Sequence, residues 1–473
     1  MSDTKTEAGW SAHCLALLPT WSFPLFLGLV SMVGFTGCGA GGDTPTAVSV
    51  APTPPPEPPS PPLPTEPPPA PSTSYELQHS VLGTDYGELR RAHGLYGSDA
   101  IAYGDFDGDG DEDVFAAPAL NTPNPKPVEM YLNVGGGEFR SSAEIFLGEV
   151  PTVILGRKSI PGDFNADGRL DVFVAGHGYD EPPFPGERPL LLLSAEGGLE
   201  DSPAGLENLV GFHHGAASGD VDYDGDLDIV VTNNFAPGTF LLLNDGSGAF
   251  SFDQSRLPDL TWQLIFTAEI LDVDGDLWPD LLLAGHEFDE PGATGWPTTI
   301  YWGDPSGTYE DSRKTVLPAV AGQGVVVDID AEDLDGDGTR EIVLNRTSDD
   351  PFYEGYFIQI VASLGGRTFA DETAIRIEGG ADPEGSWFTW LRLQDVDRDG
   401  YRDIWVDDED DHGWVWLNDG SGFLRPDPER NMRRAARTKG RTRVRTSLYP
   451  TFRTTQSGLL SGPRPHEHKA DHP

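Results

Sequence analysis

The stretch Asp105-Phe106-Asp107-Gly108-Asp109-Gly110-Asp111-Glu112-Asp113 sets carboxylates at positions one, three, five and nine of a loop, with Gly110 at position six. That spacing wraps hard oxygen ligands around a cation, and the glycine lets the chain turn through positive φ. Variants of the loop begin at Asp105, Asp163, Asp220, Asp272, Asp333 and Asp395, 52 to 62 residues apart. Self-similarity at such a period signals a repeat architecture, in which each unit buries its apolar surface against its neighbours. A bare chain with a formal net charge of −46 would repel itself and any polyanion, which disfavours nucleic acid, and none is expected as a partner. Divalent cations held in the loops would neutralise much of that charge.

Each unit repeats one order. A short apolar run, as in Ala100-Ile101-Ala102-Tyr103-Gly104, enters the loop, and a β-rich run, as in Asp228-Ile229-Val230-Val231-Thr232, leaves it. A third run ends in a glycine-rich hairpin, as in Leu241-Leu242-Leu243-Asn244-Asp245-Gly246-Ser247-Gly248. Asn-Asp-Gly flanked by apolar runs marks a hairpin. About four short antiparallel strands per unit, repeated radially, predict an all-β fold, a β-propeller. Six full blades are expected over residues 75–428, and a seventh could be assembled from weak segments at the two ends.

Outside the repeats the composition changes. Cys14 and Cys38 both precede the repeats, so a disulfide framework is excluded. The apolar stretch from Phe23 to Gly37 is short for a membrane span and suits the core of a signal peptide, giving a leader over residues 1–37. Gly34-Phe35-Thr36-Gly37-Cys38 resembles the lipobox of bacterial lipoproteins, with Cys38 as the lipidated residue, although Phe35 stands where leucine is usual. The alternative is an ordinary secretory signal; either way the chain is exported. Residues 38–74 form a Gly/Pro-rich tether, extended as polyproline II. Residues 429–473, with Arg433, Arg434, Arg437, Lys439, Arg441, Arg443 and Arg445, read as a disordered basic tail. The expected location is a bacterial outer membrane or cell surface, with lipid as the membrane contact, or a secreted or periplasmic state.

The acidic loop, the Val-Phe that follows it and the later Tyr-Leu-Asn hairpin together resemble the FG-GAP/VCBS repeat family. Its members are calcium-binding propeller blades, found in integrin α-chain heads and many bacterial surface proteins. The resemblance implies one calcium ion per loop. Loop one offers Asp105, Asp107, Asp109 and Asp113, with the carbonyl of Asp111 as a fifth ligand. Loop two offers Asp163, Asn165, Asp167, Asp171 and the Arg169 carbonyl, weakened by the neutral Asn165. Loop three offers Asp220, Asp222, Asp224, Asp226 and Asp228. Loop four has Asp272, Asp274, Asp276, Trp278 and Asp280, but Leu277 sits where glycine belongs, which makes it the weakest site. Loop five uses Asp333, Asp335, Asp337, Thr339 and Glu341; loop six uses Asp395, Asp397, Asp399, Tyr401 and Asp403. An EF-hand is rejected, because position twelve is Ala116, Val174 or Val231 rather than a bidentate glutamate. Magnesium is less apt, since it favours rigid octahedral sites that keep several waters.

The strand before each loop runs toward it and the strand after runs away, so their far ends meet on the opposite face. Ala175-Gly176-His177-Gly178-Tyr179-Asp180-Glu181-Pro182 falls there and recurs as Ala284-Gly285-His286-Glu287-Phe288-Asp289-Glu290-Pro291. His213 and His214, Asp349 and Asp350, the run Asp407 to His412, and Phe212, Trp262, Trp387 and Trp390 are placed toward the same face. They form a candidate ligand face, with aromatics to stack on sugar rings and carboxylates and histidines to bond hydroxyls. The bland alternative has the histidines bonding turns and the aromatics filling the core. The sequence lacks His-Glu-x-x-His, Gly-x-Ser-x-Gly, a phosphate-binding glycine loop and a Cys-His pair after Cys38. The expected function is non-catalytic: a binding or adhesion module for glycan or protein. The alternatives are a carbohydrate-active enzyme on the same scaffold or a purely structural surface protein.

Overall fold

In the computed structural model the described residues are 100–428, apart from 120, 136–137, 235, 290–293, 386 and 408–413. The segments expected as signal peptide, tether and basic tail, with Cys38, Glu290 and the acidic run from Asp408 to His412, lie outside the described residues.

The described chain is all-β, with one α-helical turn at Thr373–Arg376. Six antiparallel four-stranded sheets follow one another in chain order, each with its strands paired in sequence. Blade three shows the pattern: His213–Gly219, Asp228–Asn233, Phe240–Asn244 and Phe250–Asp253. Blade five adds a short fifth strand, Ala381–Asp382, beside its third. The first strands are Ala100–Gly104, Gly156–Gly162, His213–Gly219, Ile265–Leu271, Val325–Glu332 and Trp390–Gln394, and those of successive blades lie side by side as the inner ring. The count is six blades; no seventh is present among the described residues.

The second strands explain why the units must stack. In Asp171–Gly176, Val172 and Val174 face blade one, while Phe173 and Ala175 face blade three. Period-two alternation with both faces apolar leaves a lone blade with two exposed hydrophobic surfaces. Stacking buries both, and the core is accordingly divided into six layers, one between each pair of neighbouring blades. The ring closes where Ile101, Tyr103 and Tyr131 of blade one pack on Val396, Trp405 and Val415 of blade six. Among the described residues no helix is long and apolar enough to cross a membrane.

Candidate metal loops and the face opposite them

Each acidic loop connects the first and second strands of its blade, and its carboxylates first organise its own backbone. In loop one, Asp105 accepts the N–H groups of Gly108, Asp109 and Gly110 at 2.8 to 3.0 Å. Asp107 Oδ1 accepts the Asp109 N–H at 3.1 Å, and Asp109 Oδ1 accepts that of Asp111 at 2.9 Å. Loops five and six repeat the pattern at Asp335 and Asp337, and at Asp397 and Asp399.

The position-nine carboxylate is the joint of five blades, and in blade five Glu341 accepts the Leu334 N–H. Asp113 is fully buried; its Oδ2 accepts the Phe106 N–H at 2.9 Å and its Oδ1 accepts that of Asn133, in the third strand, at 2.8 Å. Asp171, Asp228, Asp280 and Asp403 make the same pair of bonds in their blades. Burial pushes the carboxyls of Asp113, Asp228, Asp280 and Glu341 up to about 7, against the backbone hydrogen bonds that favour the ionised form. Those of Asp171 and Asp403 rise to about 6 for the same reason. A nearby cation would hold these groups ionised.

Five loops bring three carboxylate oxygens within 4.8 Å of one another: Asp105, Asp107 and Asp113; Asp220, Asp222 and Asp228; Asp272, Asp274 and Asp276; Asp333, Asp335 and Glu341; Asp395, Asp397 and Asp399. Loop three fits a hard cation best, because Asp220 Oδ1 and Asp222 Oδ1 are buried without a hydrogen-bond partner. Asp224 and Asp226 complete that loop, the Asp226 N–H bonding Asp224 Oδ1 at 3.1 Å. Loop two is not among the five. Asn165 Nδ2 donates to the Ser194 carbonyl, and the Arg169 guanidinium grips Asp167 Oδ2 at 2.7 and 3.2 Å. Asp163 there still receives the Asp167 and Gly168 N–H groups. In loop four Leu277 adopts φ 75°, the left-handed conformation that its place in the loop demands.

Two sets of residues were missed by sequence reasoning. The first is the asparagine that ends the third strand. Asn244 Nδ2 donates to the carbonyls of Leu227 in its own blade and Phe164 in blade two, while Oδ1 accepts the N–H groups of Gly246 and Gly248. Asn418 does the same for blades six and five. Its recurrence in Leu-Asn-Asp-Gly was the available signal, read only as a hairpin. The second set lies across the axis: Lys158 Nζ reaches Asp328 at 3.1 Å and Glu269 at 3.3 Å. Ionisable residues inside otherwise apolar first strands were the signal there.

On the opposite face, the structure brings several of the expected residues together. His177 Nε2 lies 3.2 Å from His214 Nε2, and Asn234 Nδ2 lies 3.0 Å from the same His214 atom. Burial holds His177 and His214 well below the usual histidine range and brings His213 down to about 4. His213 Nδ1 is bonded to the Gly176 carbonyl, and His286 Nε2 lies 3.3 Å from the Tyr353 hydroxyl. His214 stacks on Phe266, and ring contacts run on through His286 to Phe352, Tyr353 and Trp387. In the other direction they run through His177 and Phe212 to Phe184. Asp289 closes a turn by accepting the Gly295 N–H, and Glu181 accepts the Tyr179 hydroxyl. Asp180 sits beside them, its carboxyl raised by burial. Trp390 instead faces the axis, with Lys158 Nζ 5.1 Å from its ring centre.

The family comparison matches this geometry. Residues 105–176, 220–283 and 272–344 match the model of the FG-GAP-like repeat. The chain carries FG-GAP-like repeats. The matched segments of this FG-GAP-like propeller each contain at least one acidic loop. No curated protein matches the sequence. Among solved structures, the chain is similar to one described as the structural basis of specific recognition of non-reducing terminal N-acetylglucosamine by an Agrocybe aegerita lectin. That match has 17% identity and a TM-score of 0.40, and covers 71% of this chain and 81% of the other.

Proposed function

We propose that the protein is an exported, calcium-stapled propeller, anchored through Cys38, that binds a glycan or protein partner on the face opposite its acidic loops. The loops act as joints: each ties two strands of one blade, and calcium would supply the charge that their converging carboxylates lack. One observation carries the choice of face. The aromatic and imidazole rings there form a band running from blade two to the entry of blade six, and rings along it reach the surface. Phe184 is 38% and Phe352 37% exposed, with Trp262 of the same face at 47%. Exposed rings beside hydrogen-bonding groups suit stacking on the apolar face of a sugar or anchoring a peptide side chain. The buried histidines shape this face from beneath.

A glycan array probed with the calcium-loaded protein tests the reading, alongside Phe352→Ala and Trp262→Ala variants of unchanged melting temperature. Binding that drops at least tenfold in the variants supports it. Binding that is unchanged in both places the ligand elsewhere.

A further inference from the structure

Arg367 stands in the turn between the third strand of blade five, Tyr356–Gly365, and the fourth, Thr368–Asp371. Its guanidinium does not stay in blade five. Nε lies 2.6 Å from Asp274 Oδ2 and Nη2 lies 2.9 Å from Asp276 Oδ2, both in the acidic loop of blade four. These are the third and fifth positions of that loop.

The choice of oxygens is what matters. In loops one, five and six Oδ1 of both positions is committed to a backbone N–H two residues on, and in loop four Asp276 Oδ1 is committed likewise to Trp278 at 3.0 Å. Oδ2 is therefore the atom a cation would take from Asp276, and Asp274 Oδ2 lies beside it on the same guanidinium. In loop four one guanidinium takes both. A calcium ion would need the same oxygens at about 2.3–2.6 Å, so the two cations cannot be bound together. The planar fork of arginine suits two carboxylate oxygens held side by side.

Arg367 is also held in place. It adopts φ 62°, its carbonyl accepts the Thr315 hydroxyl at 3.0 Å, and its guanidinium packs 4.6 Å over the Trp302 ring. The neighbouring loops differ. Arg256 reaches Asp222 in loop three, and Arg376 reaches Asp335 in loop five, each at position three and not at position five. In loop one no arginine or lysine lies within ion-pair distance of Asp105, Asp107 or Asp109, among the described residues.

We propose that in blade four the guanidinium of Arg367 takes the place of the metal, closing the loop with a cation supplied by the next blade. This rests on the reading that the other loops hold calcium. Loop four is then a protein-only joint, an inter-blade salt link that ties blade four to blade five.

Calcium stoichiometry by flow dialysis, checked by native mass spectrometry, tests it on the full chain, on Arg367→Ala and on Arg367→Gln. Removing the guanidinium frees Asp274 and Asp276, so both variants are expected to bind one calcium ion more than the unaltered protein. Adding Asp274→Asn to Arg367→Ala should remove the extra ion. Equal stoichiometry in all three proteins, with several ions bound, overturns the role of Arg367 and leaves the calcium reading standing. No calcium bound by any of them overturns both.

Discussion

Replacing Lys158 by methionine keeps the length of the side chain and removes its charge. Lys158 belongs to the first strand of blade two, and its ammonium meets Asp328 of blade five at 3.1 Å and Glu269 of blade four at 3.3 Å. Trp390 of blade six lies beneath it, and Asp330 and Arg392 add their charges nearby. Asp328 is 2% exposed and also accepts the Thr267 hydroxyl and the Leu391 N–H. Breaking a buried ion pair from one side costs about 3–5 kcal/mol. Glu269 keeps 25% of its side-chain surface open, which argues for the lower end, about 3 kcal/mol.

That cost depends on pH. Burial pushes the Glu269 carboxyl up to about 8, against the pull of Lys158, with Asp330 and Asp328 adding to the rise. A folded pKa above the unfolded one means that the native state binds more protons, so this group's contribution is complete below about 4.5 and is lost as pH rises through about 8. Without Lys158 the carboxyl rises further, and the variant loses more between pH 6 and pH 8.5 than the unaltered protein does. At pH 6 Glu269 is protonated in both, and only Asp328 is left without its partner. Urea unfolding at fixed calcium should therefore show a gap of about 2 kcal/mol at pH 6, widening by about 0.5–1 kcal/mol at pH 8.5. A gap below about 0.5 kcal/mol at both pH values, or one that narrows with pH, would refute the reasoning.

Three further outcomes follow from the same contacts. Chelation should lower the melting temperature, since an ion at a thousandfold excess over its dissociation constant stabilises each site by about 4 kcal/mol; identical melting with and without chelator would remove calcium from the loops. Asn244→Ala breaks four hydrogen bonds, three of them buried and two of them to carbonyls in the loops of blades two and three, and should cost about 2–3 kcal/mol in urea unfolding. Leu277→Gly relieves a left-handed leucine that is 59% exposed, so little packing is lost and stability should rise by about 1 kcal/mol. A loss in place of that gain would show that the leucine makes a contact worth more than its strain.

The fold was legible because its signals are local and repeated. The acidic loop, the apolar runs beside it and the turn after the third run, Asn-Asp-Gly in blades three and six, each lie within a few residues, and the structure returns strand, loop, strand and turn in all six blades. The blade count was open because the chain outside the repeats has no period to read. The loop carboxylates were legible as a set for the same reason as the fold. The role of position nine was only half visible: the sequence marks Asp113 as a ligand, while the structure also makes it the buried acceptor for the Asn133 N–H twenty residues on.

What could not be read was the difference between one loop and the next. Period and spacing present six equivalent sites, and the sequence ranks them only by substitutions inside the loop, Asn165 in loop two and Leu277 in loop four. The stronger discriminator is a competing cation, and it arrives from elsewhere in the chain. Arg367 is 91 and 93 residues from the aspartates it binds. A propeller places the hairpin of each blade against the loop of the one before, so an arginine in one repeat edits the chemistry of its neighbour. Such a residue looks like an ordinary surface arginine in sequence, because its partner is set by the stacking of blades and not by separation along the chain. Leu277 and Arg367 then have a common explanation: a loop closed by a guanidinium no longer needs a glycine turn tuned to a metal, so leucine is tolerated at a place where it carries about 1–2 kcal/mol of strain.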